Sequence, residues 1–265
     1  MKVLSLFDGM SCGQLALHKA GLFVDQYFAS EVDKFAIKVT QKNFPDTIQL
    51  GDVQQVKASE LPEIDLLLGG SPCQGFSFAG KQLNFDDSRS ALFWEYVRLL
   101  KELRPRYFLL ENVRMKQESM YIITEALGVE PVEINSALVS AQNRARLYWT
   151  NIPFEMPQHN GVVLADILED GFVDRDKSHC LDANYFKGGN LKSYFEKNRR
   201  QIVFTSTETN KKFRKLSPVE CERLQTVPDN YTQGVSNTQR YKMLGNGWTV
   251  DIVAHILRGI KDEQR

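Results

Sequence analysis

The sequence predicts an α/β chain, a largely parallel sheet flanked by helices with a small lobe set into its second half. Three observations predict it. Short apolar, β-prone runs alternate with amphipathic helical stretches through the first half. Between Pro153 and about Phe213 the alternation fails, and prolines, glycine turns and short β-prone pieces such as Gln201 to Thr205 replace it. Helical patterning then returns at Pro218 to Leu224 and Val250 to Ile260. The expected division is 1–156, a lobe over 157–212, and a return to the first domain over 213–265. A chain of 265 residues has room for both parts.

In order, the first strand is Lys2 to Phe7, followed by a helix over Gln14 to Ala20. A second strand covers Phe23 to Ala29. The helix from Val32 to Asn43 ends at Phe44-Pro45, because proline disfavours helical backbone before it. A third strand closes near Leu50-Gly51-Asp52, and a fourth is the apolar run Ile64 to Leu68. Leu92, Phe93, Tyr96, Val97, Leu99, Leu100 and Leu103 give Ser90 to Leu103 a helical stripe that Pro105 stops. A fifth strand is Tyr107 to Leu110, with two more expected at Val132 to Ala137 and Leu147 to Ile152.

Hydrophobic residues make up 42% and charged residues 25%, ordinary for a soluble globular chain. No run is long and apolar enough to span a bilayer, and the amino terminus reads as a strand rather than a signal peptide. Cys12, Cys73, Cys180 and Cys221 show neither close pairing nor zinc-ligand spacing with the four histidines. A cytoplasmic, reduced protein without metal is expected. The formal net charge of zero argues against a protein that coats nucleic acid over its whole surface. Charge is nonetheless concentrated: Lys187 to Lys215 carries nine Lys or Arg against Glu196 and Glu208, with aromatic residues between them. A solvated basic face and a phosphate-contacting face both fit that run.

The strand ends carry the chemistry. Gly69-Gly70-Ser71-Pro72-Cys73-Gln74-Gly75-Phe76-Ser77 delivers one cysteine to the carboxyl edge of strand four, where ligands collect in an open α/β sheet. Cys73 there is a nucleophile or a small packing residue. Phe7-Asp8-Gly9-Met10-Ser11-Cys12-Gly13 is a glycine-containing turn leading into a helix, able to bring backbone amides to a ligand. Glu31 follows at the offset of an acid that binds ribose hydroxyls, and Asp52 ends strand three. Together they suggest an adenosine-containing ligand. Ser11 and Cys12 stand where a dinucleotide fingerprint prefers glycine, which favours a ligand without a pyrophosphate. In the order 3-2-1-4-5, strands four and five are neighbours about 4.8 Å apart, so Cys73 and Glu111 share one rim. Glu111 is placed either to hold a proton there or to cap the next helix. Arg144 and Arg146 alternate by two, which predicts one strand face and two guanidinium groups for a carbonyl, carboxylate or phosphate.

Taken together these residues resemble the DNA cytosine-5 methyltransferase family. The resemblance runs in order through Phe7-Asp8-Gly9, Glu31, Asp52, Pro72-Cys73-Gln74 with Phe76-Ser77, Asp87-Ser88-Arg89, Glu111-Asn112-Val113 and Gln142 to Arg146. It continues through Arg214 to Gln225 and ends at Leu244-Gly245-Asn246-Gly247. It implies a Rossmann-like S-adenosylmethionine-dependent methyltransferase sheet with a small target-recognition lobe. It implies transfer of a methyl group to carbon 5 of a flipped-out cytosine in double-stranded DNA, with Cys73, Glu111, Arg144 and Arg146 as catalytic residues. Phe7, Asp8, Gly9, Met10, Ser11, Glu31, Val32, Asp52, Val53, Pro72, Leu92, Asn246, Gly247 and Trp248 would surround the cofactor. Gln74, Ser77, Arg89, Lys187, Lys192, Arg199 and Arg200 would meet DNA, and Gly75 to Arg89 would close over it.

The turn Phe-Asp-Gly-Met-Ser-Cys-Gly departs from the Phe-Ala-Gly-x-Gly-Gly of typical bacterial members, and Gly-Asn-Gly-Trp-Thr-Val departs at the end. Both, with Ala-Ser-Glu-Val around Glu31, resemble the catalytic domain of animal de novo DNA methyltransferases. The lack of a chromatin-reading extension points instead to a bacterial or phage enzyme acting beside the nucleoid, of the kind found in restriction-modification systems. Homo-oligomer formation, an RNA substrate and a silent regulatory role stay open at this stage.

Overall fold

The computed structural model describes residues 1–71, 88–206 and 212–262, with backbone alone at 88–90 and 261–262. The chain divides into two compact units: Met1–Ile134 with Ala145–Glu155 and Ala254–Arg265, and Asn135–Arg144 with Met156–Val253.

The first unit is built on a seven-stranded sheet. Its elements are β1 (Lys2–Leu6), α1 (Cys12–Ala20), β2 (Gln26–Ser30), α2 (Lys34–Asn43), β3 (Ile48–Gln49), β4 (Leu66–Gly69), α3 (Ser88–Leu103), β5 (Tyr107–Val113), α4 (Gln117–Leu127), β6 (Val132–Asn135) and β7 (Ala145–Thr150). The strand order is β3-β2-β1-β4-β5-β7-β6. β3, β2, β1, β4 and β5 run parallel, which requires the crossovers that α1, α2 and α3 supply. β7 returns antiparallel to β5. The expected half-order 3-2-1-4-5 is present.

The order of strand addition reverses between the parallel strands β1 and β4, the switch point at which an open sheet leaves a crevice. Leu6 pairs with Gly69 there, so the turn starting at Phe7 and the segment Gly70-Ser71 leave the sheet side by side. One sheet face carries Leu4, Leu6, Leu67, Phe108, Leu110, Leu147 and Trp149 into a cluster with Phe93, Tyr96, Val97 and Leu99 of α3 and Ile123 and Leu127 of α4. The period-two alternation of strands puts Glu111 and Arg146 on the opposite face. A Cβ on Gly69 would lie 2.7 Å from the Tyr96 ring, so glycine lets α3 pack directly onto the end of β4.

Two elements differ from the sequence expectation in ways that touch the site. β5 runs to Val113 rather than stopping at Leu110, so Glu111 is a strand residue and not a strand end. β7 begins at Ala145, so Arg144 precedes it and does not share a strand face with Arg146. α4, which ends at Gly128 in the left-handed conformation (φ 72°), was not expected at all.

The second unit holds α5 (Leu191–Lys197), β8 (Ile202–Phe204), β9 (Phe213–Lys215), α6 (Pro218–Leu224) and α7 (Asn237–Asn246). α8 (Val250–Leu257) and α9 (Gly259–Asp262) complete the described chain. The expected 157–212 lobe falls inside this unit, where β8 and β9 pair antiparallel and Tyr194, Ile202 and Phe204 form a small core. α6 starts with a capping box between Ser217 and Glu220, with Pro218 in its first turn. No helix among the described residues is long and apolar enough to cross a membrane.

Candidate active site

The turn after β1 alternates handedness. Phe7 (φ 56°), Gly9 (φ 59°) and Ser11 (φ 63°) are all left-handed. For a phenylalanine this is strained backbone, offset here by packing of its ring on the main core. The turn is tied to its neighbours by Asp8 N–H donating to Ser30 O (3.2 Å) and by Gly9 N–H donating to Glu31 Oε2 (2.7 Å). Glu31 Oε1 also accepts from the amides of Val32 and Asp33, both at 2.8 Å. One carboxylate thus locks the ends of β1 and β2 together while staying partly exposed. Val32 beside it is 72% exposed, an apolar surface next to a carboxylate. Asp52 caps the following turn through Gln54 N–H at 3.0 Å.

Asp8 is buried, and its Oδ1 accepts from the Tyr27 hydroxyl at 2.7 Å. Oδ2 is buried with no hydrogen-bond partner among the described residues. Burial pushes the Asp8 carboxyl up to about 6; the hydroxyls of Ser5, Tyr27 and Ser11 oppose the rise and the charge of Glu31 adds to it. Burial also drives Tyr27 well above the usual phenol range, so it stays a donor. An orphaned acidic oxygen in the turn, a partly exposed ribose-type acid and an exposed apolar side chain together fit an adenosine ligand with a cationic end. Met10, Ser11 and Val53, expected around the cofactor, are buried, and Leu92 is partly buried against the core.

The expected catalytic residues Glu111 and Arg146 lie on β5 and β7. Arg146 pairs across from Val113, and Tyr148 across from Glu111. The diagonal brings Arg146 Nε within 3.0 Å of Glu111 Oε1, with only 13% and 10% of the two side chains exposed. Arg146 Nη1 donates to Ala145 O at 2.8 Å. On the other face of β5, Asn112 Nδ2 donates to Ser71 Oγ (3.1 Å) and Ser71 O (3.4 Å), both groups being buried. Asn112 therefore fixes the chain two residues before Cys73. Pro72, Cys73, Gln74 and Ser77 lie outside the described residues; Arg89 lies in the first turn of α3, and its side chain lies outside them as well.

In the second unit, Arg144 is 3% exposed and its guanidinium donates to main-chain carbonyls. These bonds lie within the second unit. Asn246 ends α7 exposed, Gly247 follows, and Trp248 is buried. Lys187 closes a short turn with its ammonium 5.8 Å from the Phe186 ring, and Lys192 lies on α5. Arg199 and Arg200 both face Asp182, at 3.5 and 4.0 Å. Part of the basic run is consumed internally: Arg214 pairs with Asp170 and with buried Glu220, and Lys215 donates to Phe186 O. Among the described residues no group of His, Cys, Asp or Glu is gathered to hold a metal.

Two residues escaped the sequence reading. Tyr27 could have been suspected as a polar aromatic beside Phe28 and Ala29 in β2, but nothing in sequence links it to Asp8. Asn112 was visible as part of Glu111-Asn112-Val113, while its hold on Ser71 follows only from the pairing of β4 with β5.

Comparison with known proteins identifies the family and the fold. The family described as C-5 cytosine-specific DNA methylase matches residues 1–124 and 133–262. The chain is 32% identical over 308 residues to the type II methyltransferase M1.ScrFI of Lactococcus lactis subsp. cremoris, covering 95% of this chain and 76% of that protein. It is 28% identical over 302 residues to the type II methyltransferase M.NlaX of Neisseria lactamica, covering 98% and 96%. The solved structure of the Entamoeba histolytica methyltransferase EhMeth superposes with a TM-score of 0.81 at 16% identity over 100% of this chain and 99% of that one, a likeness of fold.

Proposed function

Since the chain belongs to the C-5 cytosine-specific DNA methylase family, we propose that it methylates cytosine through a covalent adduct to Cys73, with Glu111 and Arg146 gripping the ring. The enzyme is a DNA cytosine-5 methyltransferase whose methyl donor is S-adenosylmethionine. The observation that carries the residue assignment is the Glu111–Arg146 pair, held at 3.0 Å on adjacent strands next to the strand that leads to Cys73.

A duplex cytosine is stacked and must be everted to be reached. The Cys73 sulfur adds to carbon 6, and the electron pair of the 5,6 double bond moves to carbon 5. Glu111 supports nitrogen 3 with a proton, while Arg146 donates to the ring oxygen as charge develops. Pairing the two side chains before the base arrives aligns them for one edge of a planar ring, which lowers reorganisation during the reaction. S-adenosylmethionine supplies the electrophilic methyl group that carbon 5 accepts. A base then removes the carbon 5 proton, the S–C6 bond breaks, and the thiolate is restored. Phe7, Asp8, Gly9, Glu31, Val32 and Asp52 would hold the methyl donor.

A lobe as short as 157–212 can touch few base edges, which favours a short, CpG-like site. The enzyme works where bacterial or phage-infected cells keep their DNA. Labelled methyl transfer measured in parallel on duplex DNA and on transfer RNA, followed by bisulfite sequencing, tests this reading. Label at carbon 5 of duplex cytosines in a short context is expected. Label confined to transfer RNA would overturn the substrate, and a motif of about five or more fixed bases would overturn the short site.

A further inference from the structure

We propose that Arg144 is a positioning residue for the Gly245–Trp248 segment rather than a group that touches cytosine. The inference rests on the reading that Asn246 and Trp248 belong to the cofactor site. Its geometry lies wholly within the second unit.

The Arg144 backbone is pinned first: its N–H donates to Asn135 Oδ1 at 3.0 Å, and its carbonyl accepts from Ser136 N–H at 2.9 Å. From there the buried guanidinium reaches two segments. Nη1 donates to Leu181 O at 2.9 Å; Nη2 donates to Gly247 O at 2.8 Å and Gly245 O at 3.2 Å. A planar fork with donors in fixed directions can span carbonyls of two chain segments; an ammonium on a flexible stem cannot hold the same pattern.

Gln225, fully buried, grips the same turn from another side. Its Nε2 donates to Leu244 O (2.5 Å) and Gly247 O (3.1 Å). Its Oε1 accepts from Gln142 Nε2 (2.9 Å) and from the Thr249 hydroxyl (3.0 Å), and the Ser136 hydroxyl donates onward to Thr249. Gly247 O is thus held by two side chains. Gly245 lies so close to the chain at Asp182 and Ala183 that a Cβ there would fall 2.3 Å from Asp182 C.

These ties define the path of four residues whose exposed member is Asn246. Helix α7 ends there, and its final carbonyls would otherwise lack intrahelical donors. Arg144 and Gln225 supply them. The segment is thereby presented in one conformation, and its ordering need not be repeated each time the cofactor binds.

The test is Arg144→Lys, with Gln225→Ala as a second variant that removes the other tie to Gly247 O. S-adenosylhomocysteine affinity is measured by calorimetry, and native-state hydrogen exchange is followed without cofactor or DNA. Expected are affinity weaker by about tenfold to hundredfold, KM for S-adenosylmethionine raised more than kcat falls, and faster exchange at residues 244–249 and 181–183. Amides of β1, β4 and β5 should keep their protection. Gln225→Ala should give the same pattern. The adduct with 5-fluorocytosine duplex at saturating cofactor should survive Arg144→Lys and be lost in Arg146→Ala. Unchanged affinity and exchange in a folded Arg144→Lys protein overturns the proposal, as does loss of the adduct with cofactor affinity intact. A wild-type chain with no affinity for S-adenosylhomocysteine overturns the cofactor reading itself, whatever the exchange pattern of the variants.

Discussion

Asp8→Asn should make the protein more stable above neutrality, with a pH dependence that identifies the cause. The side chain keeps its shape, and its carbonyl oxygen can still accept from Tyr27, 2.7 Å away in the wild type. What disappears is a carboxyl that burial moves from 3.8 to about 6. In the wild type the folded state holds this proton more tightly than the unfolded chain does. Its contribution to stability is therefore fully present below 3.8 and is lost as pH rises through about 6. A shift of that size corresponds to about 3 kcal/mol as an upper bound. The amide does not titrate, so the variant escapes this loss. Urea unfolding of both proteins from about pH 4 to about pH 8 measures it, because the difference between them cancels every other titrating group. Stability of the variant minus that of the wild type should climb between those limits and level off above about pH 7. A difference that is flat with pH, or that moves in favour of the wild type as pH rises, would refute the argument that Asp8 is destabilised by burial.

Glu111→Gln should lower methylation by about a hundredfold or more through loss of the proton at nitrogen 3, measured by tritiated methyl transfer to duplex DNA; activity within a few-fold of wild type would remove Glu111 from the mechanism. Asn112→Ala should cost about 1–3 kcal/mol, because it leaves the buried Ser71 groups without their donor, and urea titration reads this directly. Glu222→Gln breaks a fully buried carboxylate that accepts from the Asn230 and Thr232 amides and pairs with Arg240 at 2.9 Å. About 3–5 kcal/mol of stability should be lost, and a thermal melt within a degree or two of wild type would contradict that pairing.

How far the site could be read from sequence depended on the kind of interaction involved. Gly9 and Glu31 follow the ends of β1 and β2, and apolar runs mark those ends, so the turn after β1 and its acidic neighbour were legible. Glu111 was placed one step wrong, because a charged residue reads as the end of a buried strand. It stays within β5 because Arg146 on the neighbouring strand satisfies it, and such a pairing between distant segments leaves no mark in local periodicity. Helix α7 was missed for a related reason. Its sequence is polar, and Arg240 is buried on it only because Glu222 waits on α6. The spacing of Arg144 and Arg146 predicted one shared strand face, whereas Arg144 precedes β7. Its partners are backbone carbonyls, which any residue could supply and which no sequence pattern announces.

The account stands or falls on the Cys73 sulfur. Purified protein, S-adenosylmethionine and duplex DNA carrying 5-fluorocytosine should give a denaturation-resistant complex, because fluorine blocks the proton loss that releases the enzyme. Mass spectrometry should place the linkage on Cys73, and Cys73→Ser should give none. A complex linked through another residue, or full methylation of ordinary cytosine by Cys73→Ser, would contradict it.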